Sequence, residues 1–131
     1  MRRLALCLAI VALPAGAADA PITAQEFEAY ATGKTLTYAI GGEIYGAEQY
    51  LPGRRVIWAF KGQECRNGFW YESGGQVCFV YEHDSVPQCW LFFSGPGGLR
   101  AQFSDDPDGA ELAAVAQSPE PLICAGPDVG V

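Results

Sequence analysis

The segment VCFVYEHDSVPQCW, residues 77–90, holds two cysteines and the chain's single histidine, His83. Three chemistries could use such residues. Cys78 and Cys89 could cycle as a redox pair, but redox work wants a close Cys-x-x-Cys arrangement, and no such spacing occurs. Cys65, Cys78, Cys89 and His83 could supply four metal ligands, but their spacing is not that of a zinc site. Asp84, His83 and Ser85 contain the residue types of a hydrolytic triad, yet chain neighbours cannot take up the mutual geometry a triad requires. His83, flanked by Glu82 and Asp84, reads as an exposed histidine at a loop tip.

The other sites of potential chemistry are acidic. SDDPDG places Asp106, Asp108 and Gly109 at the third, fifth and sixth positions of a calcium loop. Ser104 stands where an aspartate is usual and Val115 where a bidentate glutamate is required, so the segment reads as a plain turn. Glu43, Glu48, Glu64 and Glu72 lie on or near strands, and hydrolysis of a glycoside needs two carboxyls across one cleft. Nothing in the sequence marks any two of them as facing each other. No catalytic residue, metal ligand or cofactor site is therefore assigned.

The N-terminus supplies an address. Arg2 and Arg3 precede the uncharged apolar run Leu4–Leu13, and Ala15-Gly16-Ala17 gives the small-x-small pattern of a cleavage site. Residues 1–17 read as a secretory signal peptide, too short to span a bilayer. Pro21 disfavours the alternative cut after Ala20. Cys7 falls inside the apolar run behind Leu6, which does not suit lipidation. Loss of Arg2 and Arg3 takes the formal net charge from −7 to −9. That acidity argues against nucleic acid and anionic membrane surfaces, and favours a basic protein or a cell-envelope component as partner.

Without Cys7 an even set remains: Cys65, Cys78, Cys89 and Cys124. In a short exported chain this reads as two disulfides, for which three pairings exist. Strand register favours Cys78 with Cys89 across a hairpin. Phe79 would then face Gln88, Tyr81 would face Val86, and residues 82–85 would form the loop. Cys65 with Cys124 would pin the C-terminal tail.

The elements that must carry these residues follow from pattern. Thr23 and Glu26 form a capping box, flanked by Ile22 and Phe27, and Gly33 supplies a left-handed stop. The spacing predicts a helix over 24–31. From Lys34 the apolar period changes to two. KTLTYAI, IYGAEQYL, RRVIWAF, ECRNGFWYE, QVCFVYE, QCWLFF and LRAQF read as strands separated by turn residues, with Gly46 as a bulge. About seven strands in this order predict an antiparallel meander, curled into a barrel-like or strongly twisted sheet that limits open edges. The expected organisation is residues 1–17 as signal peptide, 18–110 as the β-meander domain with its capping helix, and 111–131 as a disulfide-pinned tail. AELAAVAQ within that tail reads either as a helical turn or two, or as a last edge strand.

GFWY and WLFF place aromatics on both faces of their strands. If one face meets solvent, Trp70, Tyr71, Trp90 and Phe92 would form an interaction surface.

Several motifs together resemble a family of short exported proteobacterial proteins that carry a domain of unknown function. They are the Thr23-x-x-Glu26 helix start, Gly33-Lys34-Thr35, Tyr50-Leu51-Pro52-Gly53, Gly68-Phe69-Trp70, Cys78-Phe79 and Cys89-Trp90. The likeness covers about residues 22–103. It implies export and the Cys78–Cys89 pairing, and it brings no activity, cofactor or catalytic residue. The expectation from sequence is a non-catalytic, periplasmic or secreted binding or interaction module. The alternatives are a barrel-type carrier of a small apolar ligand, then a carboxylate-dependent hydrolase.

Overall fold

The computed structural model describes residues 19–125. Residues 1–17, read above as a signal peptide, lie outside them, as does the end of the expected tail after Ala125. A helix, α1 (Ala24–Ala31), precedes eight strands: β1 (Thr35–Ile40), β2 (Glu43–Leu51), β3 (Arg55–Phe60), β4 (Arg66–Ser73), β5 (Gln76–Tyr81), β6 (Asp84–Gly95), β7 (Gly98–Phe103) and β8 (Leu112–Ser118). Each strand pairs antiparallel with the next, and β8 pairs with β1, so the sheet closes into a barrel. Closure leaves no edge strand of the barrel unpaired.

The expected tail boundary at residue 110 is corrected by this closure, because residues 112–118 are the eighth barrel strand. Their Ala-rich sequence carries helical propensity, but β1 and β7 would otherwise each expose an unpaired edge, and ladder pairing prevails over a weak local preference.

The helix forms as its sequence dictates. Thr23 accepts from the Glu26 N–H at 3.1 Å, Glu26 accepts from the Thr23 N–H at 3.1 Å, and Gly33 takes φ +87° just past the C-terminus. One face carries Ala24, Phe27 and Ala31, all buried. Phe27 is fully buried and enters one end of the barrel. It meets Trp70 and Tyr50 edge-on at 5.3 and 5.4 Å and lies 4.4 Å from Phe92, centroid to centroid. Burial of such a ring contributes about 1.5–3 kcal/mol. Arg54, on the Pro52–Arg54 turn between β2 and β3, pairs with Glu28 at 3.1 Å while its guanidinium lies 4.4 Å from the Trp70 ring centre. The helix therefore plugs this end and is latched to its rim.

Both disulfides have the expected partners, Cys78–Cys89 and Cys65–Cys124. The β5–β6 hairpin differs in its turn. Cys78 faces Cys89 and Phe79 faces Gln88, but Tyr81 faces Asp84 rather than Val86. A register shift after Phe79 shortens the connection to Glu82-His83, with His83 exposed at φ +69°. The Cys65–Cys124 bridge holds the segment 121–125 outside the barrel. There the Leu122 N–H donates to the Gln49 side chain, and Ala125 bridges Glu64.

Candidate functional site

The barrel end opposite α1 is open, and a cavity of about 60 Å³ descends from it. Alternation of side chains decides which residues it meets. On β2 the buried positions are Gly46, Glu48 and Tyr50. β1 contributes Tyr38, β3 Trp58 and Phe60, β5 Phe79 and Tyr81, and β6 Asp84, Gln88 and Trp90. Arg66 at the start of β4 completes the rim, its guanidinium 5.5 Å from the Phe60 ring centre.

At the bottom is a chain of polar groups. The Tyr81 hydroxyl donates to Glu48 Oε1 at 2.7 Å, and the Tyr50 hydroxyl donates to Glu48 Oε2 at 3.4 Å. Tyr50 and Tyr38 share a further 2.7 Å hydrogen bond. Glu48 is 4% exposed. Burial raises its pKa, the bonds from Tyr81 and Tyr50 lower it, and burial prevails, so the carboxyl is pushed up to about 8. The carboxyl is therefore mostly protonated at neutral pH. Burial also raises the Tyr38, Tyr50 and Tyr81 hydroxyls well above the ordinary tyrosine value, so all three stay as donors.

Two glycines make room for the rings. A Cβ at Gly46 would lie 2.5 Å from the Trp58 ring and 2.5 Å from the Ala59 carbonyl oxygen. A Cβ at Gly68 would lie 2.7 Å from the Tyr81 ring. Trp58 and Tyr81 rest against bare backbone and so lean over the cavity. The extra residue of the β1–β2 bulge is Tyr45, directly before Gly46 rather than the glycine itself. That places Tyr45 at the mouth, where its ring packs against Trp58 and Phe60 at 5.8 and 5.3 Å.

The expected surface of Trp70, Tyr71, Trp90 and Phe92 is corrected. Trp70 and Phe92 are core residues packed around Phe27, and Trp90 lines the cavity. Only Tyr71 takes the outer face, beside the half-exposed Phe69 at 6.5 Å. Closure of the sheet turns one strand face into an interior, so aromatics on that face need no cover.

Of the four glutamates considered, Glu43, Glu64 and Glu72 are exposed, and only Glu48 enters the barrel. Asp84, not singled out for this role, lines the same cavity nearer its mouth. His83 takes no part in the cavity lining. SDDPDG forms a tight turn closed by the Gly109 N–H on the Asp106 carbonyl at 3.0 Å. Among the described residues, no group of three or more metal-ligating side chains converges. The sequence signal for Glu48 was its alternation with Gly46 and Tyr50, but Ala47, Gln49 and Leu51 gave an equally plausible inner face.

No protein-family model matches the chain, and no curated protein or solved structure matches it either.

Proposed function

We propose that this protein is a non-catalytic binding module of an oxidising exported compartment, the periplasm or the exterior, and that its site is the open end of the barrel. The observation that carries this reading is Glu48. A carboxyl held inside a barrel, raised in pKa and reached from a ring-lined mouth, is costly to keep unless something uses it. The two disulfides agree with an oxidising compartment. The acidic surface favours a basic partner, either an envelope component or a protein that offers a side chain to the mouth.

An apolar cargo fits this cavity poorly. Carrier sites enclose some hundreds of Å³, whereas about 60 Å³ is open here and its floor is polar. The hydrolase reading keeps one observation in its favour, since Glu48 and Asp84 line a single cavity. Turnover of a chromogenic glycoside that disappears in Glu48→Gln would put that reading first.

The direct test is a fragment screen followed by nuclear magnetic resonance. Binders should shift the Trp58 and Trp90 indole signals. Binders that shift only Phe69 and Tyr71 would move the site to the outer wall and overturn the proposal.

A further inference from the structure

Resting on that reading of the mouth, we infer that the group recognised is a primary ammonium, held by the Glu48 carboxylate inside a ring of aromatic side chains. Three observations converge on a cation. The first is the wall. Tyr38, Trp58, Phe60, Tyr81 and Trp90 surround the space above Glu48, and the faces of such rings attract positive charge. The chain's own Arg66 already rests against Phe60 at the rim.

The second is the floor. Two tyrosine hydroxyls can point their protons at Glu48, and a third supports one of them, so a carboxylate there is prepared for ionisation once a positive partner arrives. An ammonium donates three hydrogen bonds and accepts none, which suits a site whose oxygens are acceptors when ionised. Its head is close to water in size, and the cavity holds it with a short alkyl stem.

The third is the field at the mouth. The loops and strand ends at this end carry Glu43, Glu64, Glu82 and the three aspartates of SDDPDG, against Lys61 and Arg66. Such a rim concentrates cations at the opening.

Proton balance gives the inference its signature. The protonated Glu48 carboxyl loses its proton to solvent as the ammonium enters, leaving a carboxylate–ammonium pair with all other bonds intact. The groups that face Glu48 are Tyr38 from β1, Tyr45 and Tyr50 from β2, Tyr81 from β5, Arg66 from β4 and Asp84 from β6, while β7 and β8 present only Ala101 and Leu112. Because Glu48 in the empty site titrates at about 8, binding at pH 7 should release close to one proton, and affinity should rise about tenfold from pH 6 to pH 7. Above pH 8 the rise should level off.

The experiment is calorimetric titration of the disulfide-bonded protein with n-butylammonium in two buffers of different ionisation enthalpy, with 1-butanol as the neutral control. The expected result is ammonium binding with the proton release above. Glu48→Gln should weaken ammonium binding at least tenfold and abolish the release, with butanol unaffected. Should that variant fail to fold, the proton count on the unaltered protein decides. Ammonium binding without proton release, or no tighter than butanol, overturns the inference while the mouth remains a binding site. Absence of binding by both overturns the inference and the reading beneath it. A capped Gly-Lys-Gly peptide separates sources of the same head group: tighter binding than butylammonium points to a lysine on a protein partner, weaker binding to a free amine.

Discussion

Tyr81 on β5 donates a 2.7 Å hydrogen bond across the barrel to Glu48 on β2. The two residues are 33 positions apart in the chain, and the ring of Tyr81 reaches its place over the backbone of Gly68. A buried carboxyl would otherwise find no donor on β5. The bond is weaker when Glu48 is protonated than when it is ionised, since hydrogen bonds to charged groups are worth about 1.5–3 kcal/mol and neutral ones about 0.5–1.5 kcal/mol. Tyr81→Phe should therefore cost about 1 kcal/mol at pH 6 and about 2 kcal/mol at pH 9. Urea unfolding at the two pH values measures the difference. An equal loss at both would show that the bond does not sense the charge on Glu48.

Glu48 itself should leave a mark on stability against pH. Its pKa is raised from 4.5 in the unfolded chain to about 8 in the fold. The folded state thus binds the proton more strongly, and the stabilisation is complete below pH 4.5. It declines as pH rises and is lost above about 8. At 1.36 kcal/mol per pH unit, the change across that window amounts to at most about 5 kcal/mol. Glu48→Gln removes the titration, so the variant should gain on the parent between about pH 5 and pH 8 and level off above that. Parallel unfolding curves for the two proteins across that range would remove Glu48 as the responsible group.

Gly46 is required for space rather than for a turn. Gly46→Ala drives a methyl group into the Trp58 indole and the Ala59 carbonyl. Overpacking of this kind costs about 1–3 kcal/mol. Trp58 should move with it, changing its fluorescence maximum, and Trp58→Leu in the same chain should recover part of the loss but not the share due to the carbonyl. Full recovery would assign the whole strain to the indole, and no recovery would assign it to the backbone.

The closed end tests the role of α1. Phe27→Ala should cost about 3–5 kcal/mol, because Trp70, Tyr50 and Phe92 lose the ring they pack around. Thermal unfolding followed in the near ultraviolet reports this directly. A loss below 1 kcal/mol would mean that the helix merely rests on the barrel.

How much of this was legible in the sequence depends on how local each determinant is. The helix could be read because its start and stop lie within ten residues, at Thr23, Glu26 and Gly33. The β5–β6 register could be read as far as Cys78 and Phe79, because the disulfide fixes it. The turn could not, since the shift to Asp84 depends on how Tyr81 is drawn inward. A barrel-like curl of the sheet was legible from the meander, but the eighth strand was only one of two options, because Leu112–Ser118 becomes a strand through its partners on β1 and β7 rather than through its own composition. The site followed closure. Until the barrel has an inside, Glu48 is one acid among fifteen, and Trp70 and Phe92 look like surface.

The two disulfides should differ in what they stabilise. Cys65 and Cys124 are 59 residues apart, and Cys78 and Cys89 are 11 apart. If the crosslinks act by restricting the unfolded chain, the longer loop gives roughly 4 kcal/mol and the shorter roughly 3 kcal/mol. The surface strap would then outweigh the bridge within the sheet, although Cys78 is buried and Cys124 only partly so. Removing the strap with Cys65→Ala and Cys124→Ala should lower the urea midpoint further than Cys78→Ala with Cys89→Ala, while leaving the barrel's far-ultraviolet signature unchanged. The reverse order would mean that packing of Cys78 between β4 and β6 matters more than chain entropy, and that the strap serves mainly to hold the segment 121–125 beside the mouth.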